Sequence, residues 1–156
     1  MKRWPTEFVV RMFAVMLPVF AAAAAAAPTI ERFDGRTWAE LSAAPARPAI
    51  VVFSTTDCAH CPAVIRKLAS EKSRYATSLS LIAVVMDGGK DIAGKNPYRL
   101  ADRLFVFEGN EQALRYSVNP DWRGVTPYIA LLTPGQHVKY MVGPPADREL
   151  RTFFAR

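Results

Sequence analysis

The chain has 156 residues, and at about 150 residues per domain that predicts one domain. Apolar residues make up 51% and charged residues 22%, ordinary globular usage that excludes a mainly disordered, collagen-like or coiled-coil chain. Two cysteines are too few for a disulfide-stapled miniprotein or a four-cysteine zinc site, two histidines leave little room for an enzyme built on several imidazoles, and the net charge of +6 has to be reckoned again without any leader segment.

The first segment reads as a leader. Lys2, Arg3 and Arg11 are positive, Met12 to Phe20 is apolar, and Ala21 to Ala27 is a run of small residues, the order of a secretory signal peptide. Ala24 and Ala26 form an A-x-A site, and Pro28 disfavours a cut after Ala27, so residues 1–26 are expected to be removed. As an uncleaved anchor, the 16 residues from Met12 to Ala27 would fall short of the roughly 20 that span a bilayer. The leader has no cysteine for a lipid anchor, and Arg3 and Arg11 are not adjacent, so no twin-arginine signal is indicated. The expectation is a single domain over 27–156 in the periplasm, delivered by the secretion machinery, or membrane-anchored if the leader stays. Without the leader the chain keeps 17 basic residues (20 less three) against 13 acidic (14 less one), a charge of +4. These are scattered with no stripe to track phosphates, so no nucleic-acid partner is expected.

In the remaining chain, Glu31 to Leu41 is a lead-in with a helix at Thr37 to Leu41, followed by a Pro/Ala-rich connection at Ala43 to Pro48. Ala49 to Ser54 is an unbroken apolar run, the pattern of a strand buried on both faces. A helical pattern runs from near Cys58 to about Arg74, with Cys61, Val64, Ile65, Leu68 and Tyr75 on one face and Arg66, Lys67, Glu71 and Arg74 on the other. Leu79 to Met86 is a second buried strand, and Asp87 to Pro97 a glycine-bearing polar loop. Helical turns at Tyr98 to Arg103, a strand at Leu104 to Phe107 and a helix at Asn110 to Tyr116 follow. Tyr128 to Thr133 and His137 to Val142 are strands joined by Pro134-Gly135-Gln136, a hairpin signal. Pro144-Pro145 ends the strand, and Asp147 to Phe154 is a closing helix with Leu150, Phe153 and Phe154 on one face. Strands alternating with helices predict an α/β fold whose sheet is parallel where crossovers intervene and antiparallel at the hairpin edge. There is no internal repeat.

Cys58-Ala59-His60-Cys61 is the sharp motif, placed where a strand gives way to a helix. A thiolate at a helix N-terminus faces unpaired N–H groups and the positive end of the dipole, which lowers its pKa. Cys58 opens the helix and is the candidate attacking thiol; Cys61, one turn in, is the candidate resolving thiol. An imidazolium at His60 would stabilise the Cys58 thiolate and make the pair a stronger oxidant, whereas the Asp57 carboxylate would oppose the thiolate or cap the helix. A static structural disulfide would close a small loop for little entropic gain. A c-type haem site needs histidine directly after Cys61, where Pro62 stands, and a zinc site needs two ligands beyond the pair, with only His60 and His137 on hand.

The second signal is Val125-Thr126-Pro127-Tyr128, ahead of an apolar strand. A proline opening a strand beside such a helix is a candidate cis-proline. Its edge, with the Thr126 backbone, would take an extended substrate peptide and present that peptide's cysteine to Cys58. Trp122, a few residues earlier, is either a lining or a packing residue.

With these residues in hand, the stretch from about Ala49 to Gly143 resembles the thioredoxin superfamily. The segment LFVFEGNEQALRYSVNPDWRGVTPYIALLTPG is similar to the secreted TlpA-like branch of thiol–disulfide proteins. The resemblance implies a three-layer α/β fold with a mixed central sheet flanked by helices. It also implies catalytic Cys58 and Cys61, a cis-proline at Pro127 facing them, Thr126 meeting the substrate, and no cofactor. His60 stands where oxidising members and disulfide isomerases often carry histidine. Two positions depart from the family: Asp57 where many relatives have an aromatic, and Val52 where many have a buried acid. The activity so implied is envelope thiol–disulfide exchange with protein cysteines, with a membrane redox partner and a role in cytochrome c or metalloprotein maturation, its direction left open by His60 on one side and the TlpA-like likeness on the other. Two other classes stand beside it: a copper-handling protein whose soft thiolates are joined by His137, and a non-catalytic interaction module on the same scaffold.

Overall fold

The structure, a computed structural model, describes residues 29–75, 78–89, 91–92 and 95–154, and of Phe154 the backbone alone. The expected signal peptide and its cleavage site lie outside the described residues.

Six strands form one sheet in the order β1-β4-β3-β2-β5-β6. They are β1 (Ile30–Phe33), β2 (Ala49–Ser54), β3 (Ser80–Val85), β4 (Arg103–Phe107), β5 (Tyr128–Leu132) and β6 (Lys139–Val142). The pairs β1–β4, β4–β3 and β3–β2 are parallel; β2–β5 and β5–β6 are antiparallel. The helices are α1 (Gly35–Ala43), α2 (Cys61–Tyr75), α3 (Glu111–Val118) and α4 (Asp147–Phe154), with a 3₁₀ turn at Tyr98–Leu100. Parallel pairing needs crossovers, which α1, α2 and the 3₁₀ segment supply, whereas the five-residue β5 returns directly into β6. Among the described residues no helix is long and apolar enough to cross a membrane.

Every residue of β2 and β3 is buried, because both faces of these central strands are covered. Alternation then sorts their side chains into two cores. Ile50 and Val52 meet Val64, Ile65 and Leu68 of α2 and Leu150 and Phe153 of α4 on one face. Val51 and Phe53 meet Trp38 of α1, Leu114 and Val118 of α3, and Phe33, Trp122 and Tyr128 on the other. The second core is aromatic: Trp122 stacks on Tyr128 with centroids 4.5 Å apart, and Phe53 lies 5.0 Å from Trp122. Asp34 caps α1 by accepting from the Thr37 N–H at 2.8 Å.

Several elements differ from the sequence reading. β1 falls in the segment read as a lead-in, since Ile-Glu-Arg-Phe has no apolar run and takes its form from pairing with β4. α1 is longer than Thr37 to Leu41 because Asp34 starts it. α2 begins at Cys61 rather than Cys58, Tyr75 at its last turn is exposed, and β6 begins at Lys139, leaving His137 exposed in the hairpin.

Candidate active site

The central strand β2 carries Ser54 to the carboxyl end of the parallel strands, where ligands of open α/β sheets gather. The turn that follows is built from its own backbone. The Cys58 N–H donates to the Thr55 carbonyl at 3.3 Å, and the Cys61 N–H donates to the Cys58 carbonyl at 3.3 Å. The Val64 N–H donates to the His60 carbonyl at 3.2 Å, so His60 sits at the helix cap with its side chain exposed. Cys58 and Cys61 form a disulfide with Cα atoms 5.4 Å apart. Cys61 is wholly buried and Cys58 half-buried. The first N–H of α2, that of Cys61, also points at Cys58 Sγ, 3.2 Å away. The first turn of α2 holds no acid and its last turn holds Lys72 and Arg74, a charge order that leaves the positive dipole end bare at the sulfur.

Antiparallel pairing of β2 with β5 sets Phe53 opposite Tyr128, so the loop entering β5 lies beside the loop leaving β2. The Thr126–Pro127 peptide is cis, as is Asn96–Pro97. Pro127 is buried, Thr126 half-buried, and the Pro127 carbonyl accepts from the Gly143 N–H at 2.9 Å. The Thr126 hydroxyl meets that of Thr55 at 3.2 Å. Trp122 is buried, packs in the aromatic core and donates its indole N–H to the Val125 carbonyl at 3.0 Å; it is a packing residue that holds this loop. Gly124 has φ +85°, a backbone conformation that favours glycine, and the Arg115 guanidinium lies over it. Exposed Val125 and Val142 flank Pro127.

Cys58, Cys61, His60, Thr126 and Pro127 thus share one end of the sheet. His137 does not: β5 runs from Tyr128 at this end to Leu132 at the other, and the hairpin bearing His137 follows it. A copper site joining the thiols to His137 is therefore incompatible with the topology. Among the described residues no three His, Cys, Asp or Glu side chains gather as a metal set. A concavity of about 710 Å³ is at that far end too, lined by His137, Lys139, Arg148 and Phe153 among others, and holds neither cysteine.

Other residues of the site gave no sequence signal. Asp57 is exposed and is not the carboxylate that fixes the turn. Asp87, just past β3, does so by accepting from the Thr56 N–H and hydroxyl, each at 2.7 Å. Beneath the turn, the hydroxyls of buried Ser54 and Tyr98 lie 3.0 Å apart. Burial pushes the Tyr98 hydroxyl above its ordinary pKa. Val52 is wholly buried among apolar side chains, and among the described residues no Asp or Glu is buried.

No family model and no curated protein sequence matches the chain. Solved structures do match in shape. A secreted Mycobacterium tuberculosis disulfide oxidoreductase homologous to E. coli DsbE superposes with a TM-score of 0.53 at 17% identity, covering 79% of this chain and 87% of that one. The thioredoxin domain of a thiol–disulfide oxidoreductase from Bacteroides vulgatus gives 0.52 at 14%, covering 69% and 79%. StoA from Bacillus subtilis gives 0.50 at 16%, covering 69% and 81%. With its β1-β4-β3-β2-β5-β6 sheet and a cysteine pair at the start of α2, the chain has the thioredoxin-like fold.

Proposed function

We propose that this chain is a thiol–disulfide oxidoreductase of the cell envelope, exchanging disulfides with protein cysteines through Cys58 and Cys61. The observation that carries the reading is the asymmetry of the pair: one sulfur half-exposed under a helix N–H, the other wholly buried. In the oxidising direction a substrate thiolate attacks Cys58 Sγ, the Cys58–Cys61 bond breaks, and Cys61 leaves and takes a proton. A second substrate thiolate then attacks its partner sulfur in the mixed disulfide, so the substrate leaves as a disulfide and Cys58 as a thiolate. The reducing direction runs the same steps backwards. Thr126 and Pro127 form the edge on which an extended peptide lies, and Val125 and Val142 favour apolar residues beside its cysteine. His60, exposed and two residues along from Cys58, would stabilise the thiolate as an imidazolium. The structural neighbours include a protein described as secreted, which with the basic and apolar leader favours export to the periplasm. A membrane redox partner and a client in cytochrome c or metalloprotein maturation complete the proposal.

The test is trapping. Offered a disulfide-bonded peptide, Cys61→Ser should accumulate a mixed disulfide as the Cys58 thiolate attacks one peptide sulfur and the other leaves as a thiol, visible by mass spectrometry, and Cys58→Ser, whose remaining thiol is buried, should accumulate none. Equal trapping by both variants, or no exchange of the wild-type pair with glutathione, would overturn the reading.

A further inference from the structure

Three donors converge on a single backbone oxygen beneath the cysteine pair. The Thr55 carbonyl accepts from the Cys58 N–H at 3.3 Å, and the Ser54 and Tyr98 hydroxyls lie 3.2 and 3.4 Å from it. The two hydroxyls are also 3.0 Å from each other, and either is able to donate to the other. Each has one proton. If Tyr98 donates to Ser54, the Ser54 proton is left for Thr55; if Ser54 donates to Tyr98, the Tyr98 proton is left for it. In both arrangements the oxygen that holds the Cys58 amide also receives an O–H. Ser54 and Tyr98 are both buried, the tyrosine in the core that α2 covers, and hydrogen bonds there are stronger than in water. Nothing in the fold requires this pair, because an apolar residue at the end of β2 would continue the run of Ala49 to Phe53.

We propose that Tyr98 and Ser54 are positioning residues that set the oxidising strength of the Cys58–Cys61 pair by neutralising the Thr55 carbonyl. This rests on the oxidoreductase reading of the pair. The Thr55 carbonyl oxygen lies 3.3 Å from the Cys58 amide nitrogen, so its partial negative charge acts on the same residue and opposes the thiolate. An O–H donated to that oxygen withdraws part of the charge. The thiolate, and with it the reduced form, is stabilised, so the disulfide is a better oxidant. Asp87 and Lys95 are the charged groups that act on Tyr98, and its burial keeps the hydroxyl protonated as a donor.

The test is the exchange equilibrium with glutathione in the full chain, for wild type, Tyr98→Phe, Ser54→Ala and the double variant, beside chemical unfolding of each. The double variant should favour the disulfide about three- to tenfold more than wild type, the size a single hydrogen bond carries. Tyr98→Phe keeps the ring in the core and leaves Ser54 to donate to Thr55 without the partner that polarises it, so the constant should move the same way by a smaller factor, about twofold. An unchanged constant in whichever variants fold, even with lowered stability, reduces the pair to packing and overturns the proposal. If wild type itself fails to exchange, the oxidoreductase reading falls instead, so the two failures are distinct.

Discussion

The hydroxyls of Thr55 and Thr126 lie 3.2 Å apart, tying the turn that leaves β2 to the loop that enters β5. They are 71 residues apart in the chain, and the contact fixes the distance between the cysteine turn and Pro127. Thr126→Val keeps the shape and removes the bond. The expected outcome is a loss of about 1 kcal/mol in urea unfolding and slower exchange with a cysteine peptide, with Thr126→Ser restoring both.

Asp87 is the outer anchor of the same turn. Asp87→Ala removes the acceptor for the Thr56 N–H and hydroxyl. The cost should be about 1 kcal/mol, below the usual range for a bond to a charged group because the carboxylate is exposed. Hydrogen exchange at the Thr56 and Cys58 amides should quicken while the core amides of β3 stay protected.

Val52 points into the core beneath α2 with no polar neighbour among Ile50, Val64, Ile65 and Ile129. Val52→Asp should destabilise the protein by several kcal/mol, about 2 or more. The loss should grow with pH: the unfolded aspartate ionises near about 3.9 while the buried one stays protonated to higher pH. Stability present below that value is lost as pH rises. Unfolding curves that are parallel from pH 4 to 8 would contradict this.

α4 is tethered by charge. Lys67 Nζ lies 2.6 Å from Asp147, and Lys139 Nζ lies 3.2 Å from Glu149. The hydrogen bond from Lys67 lowers the pKa of Asp147 below the ordinary 3.8, and that from Lys139 lowers Glu149 below 4.5. With folded values depressed, the contribution is present above the ordinary values and is lost as pH falls through the folded ones. Lys67→Met combined with Lys139→Met should therefore melt below wild type at pH 6, and the gap should close as pH falls under 3.8.

The central architecture was legible because burial leaves a mark on composition. β2 and β3 are covered on both faces and read as apolar runs, and α2 shows Val64, Ile65 and Leu68 at helical spacing. β1 was not, since a charged four-residue edge strand takes its form from β4 alone. The cysteine pair and Pro127 announce themselves by local pattern. Asp87 and Tyr98 do not: they reach Thr56 and Ser54 across 31 and 44 residues, and nothing local distinguishes an aspartate that anchors a turn from one in a solvated loop. Whether His137 could reach the thiols was not legible for the same reason, its distance from them being set by which end of β5 carries the hairpin.

The sheet ends on both sides in a strand of four residues, β1 with Glu31 and Arg32 and β6 with Lys139. Short, charged edges discourage a foreign strand from adding to a sheet. For a protein proposed to take a cysteine on an extended peptide, this separates capture from release. A client chain can be held by one sulfur–sulfur bond and a short contact at Thr126 and Pro127 without zippering along the sheet margin, so breaking that bond leaves little to retain it.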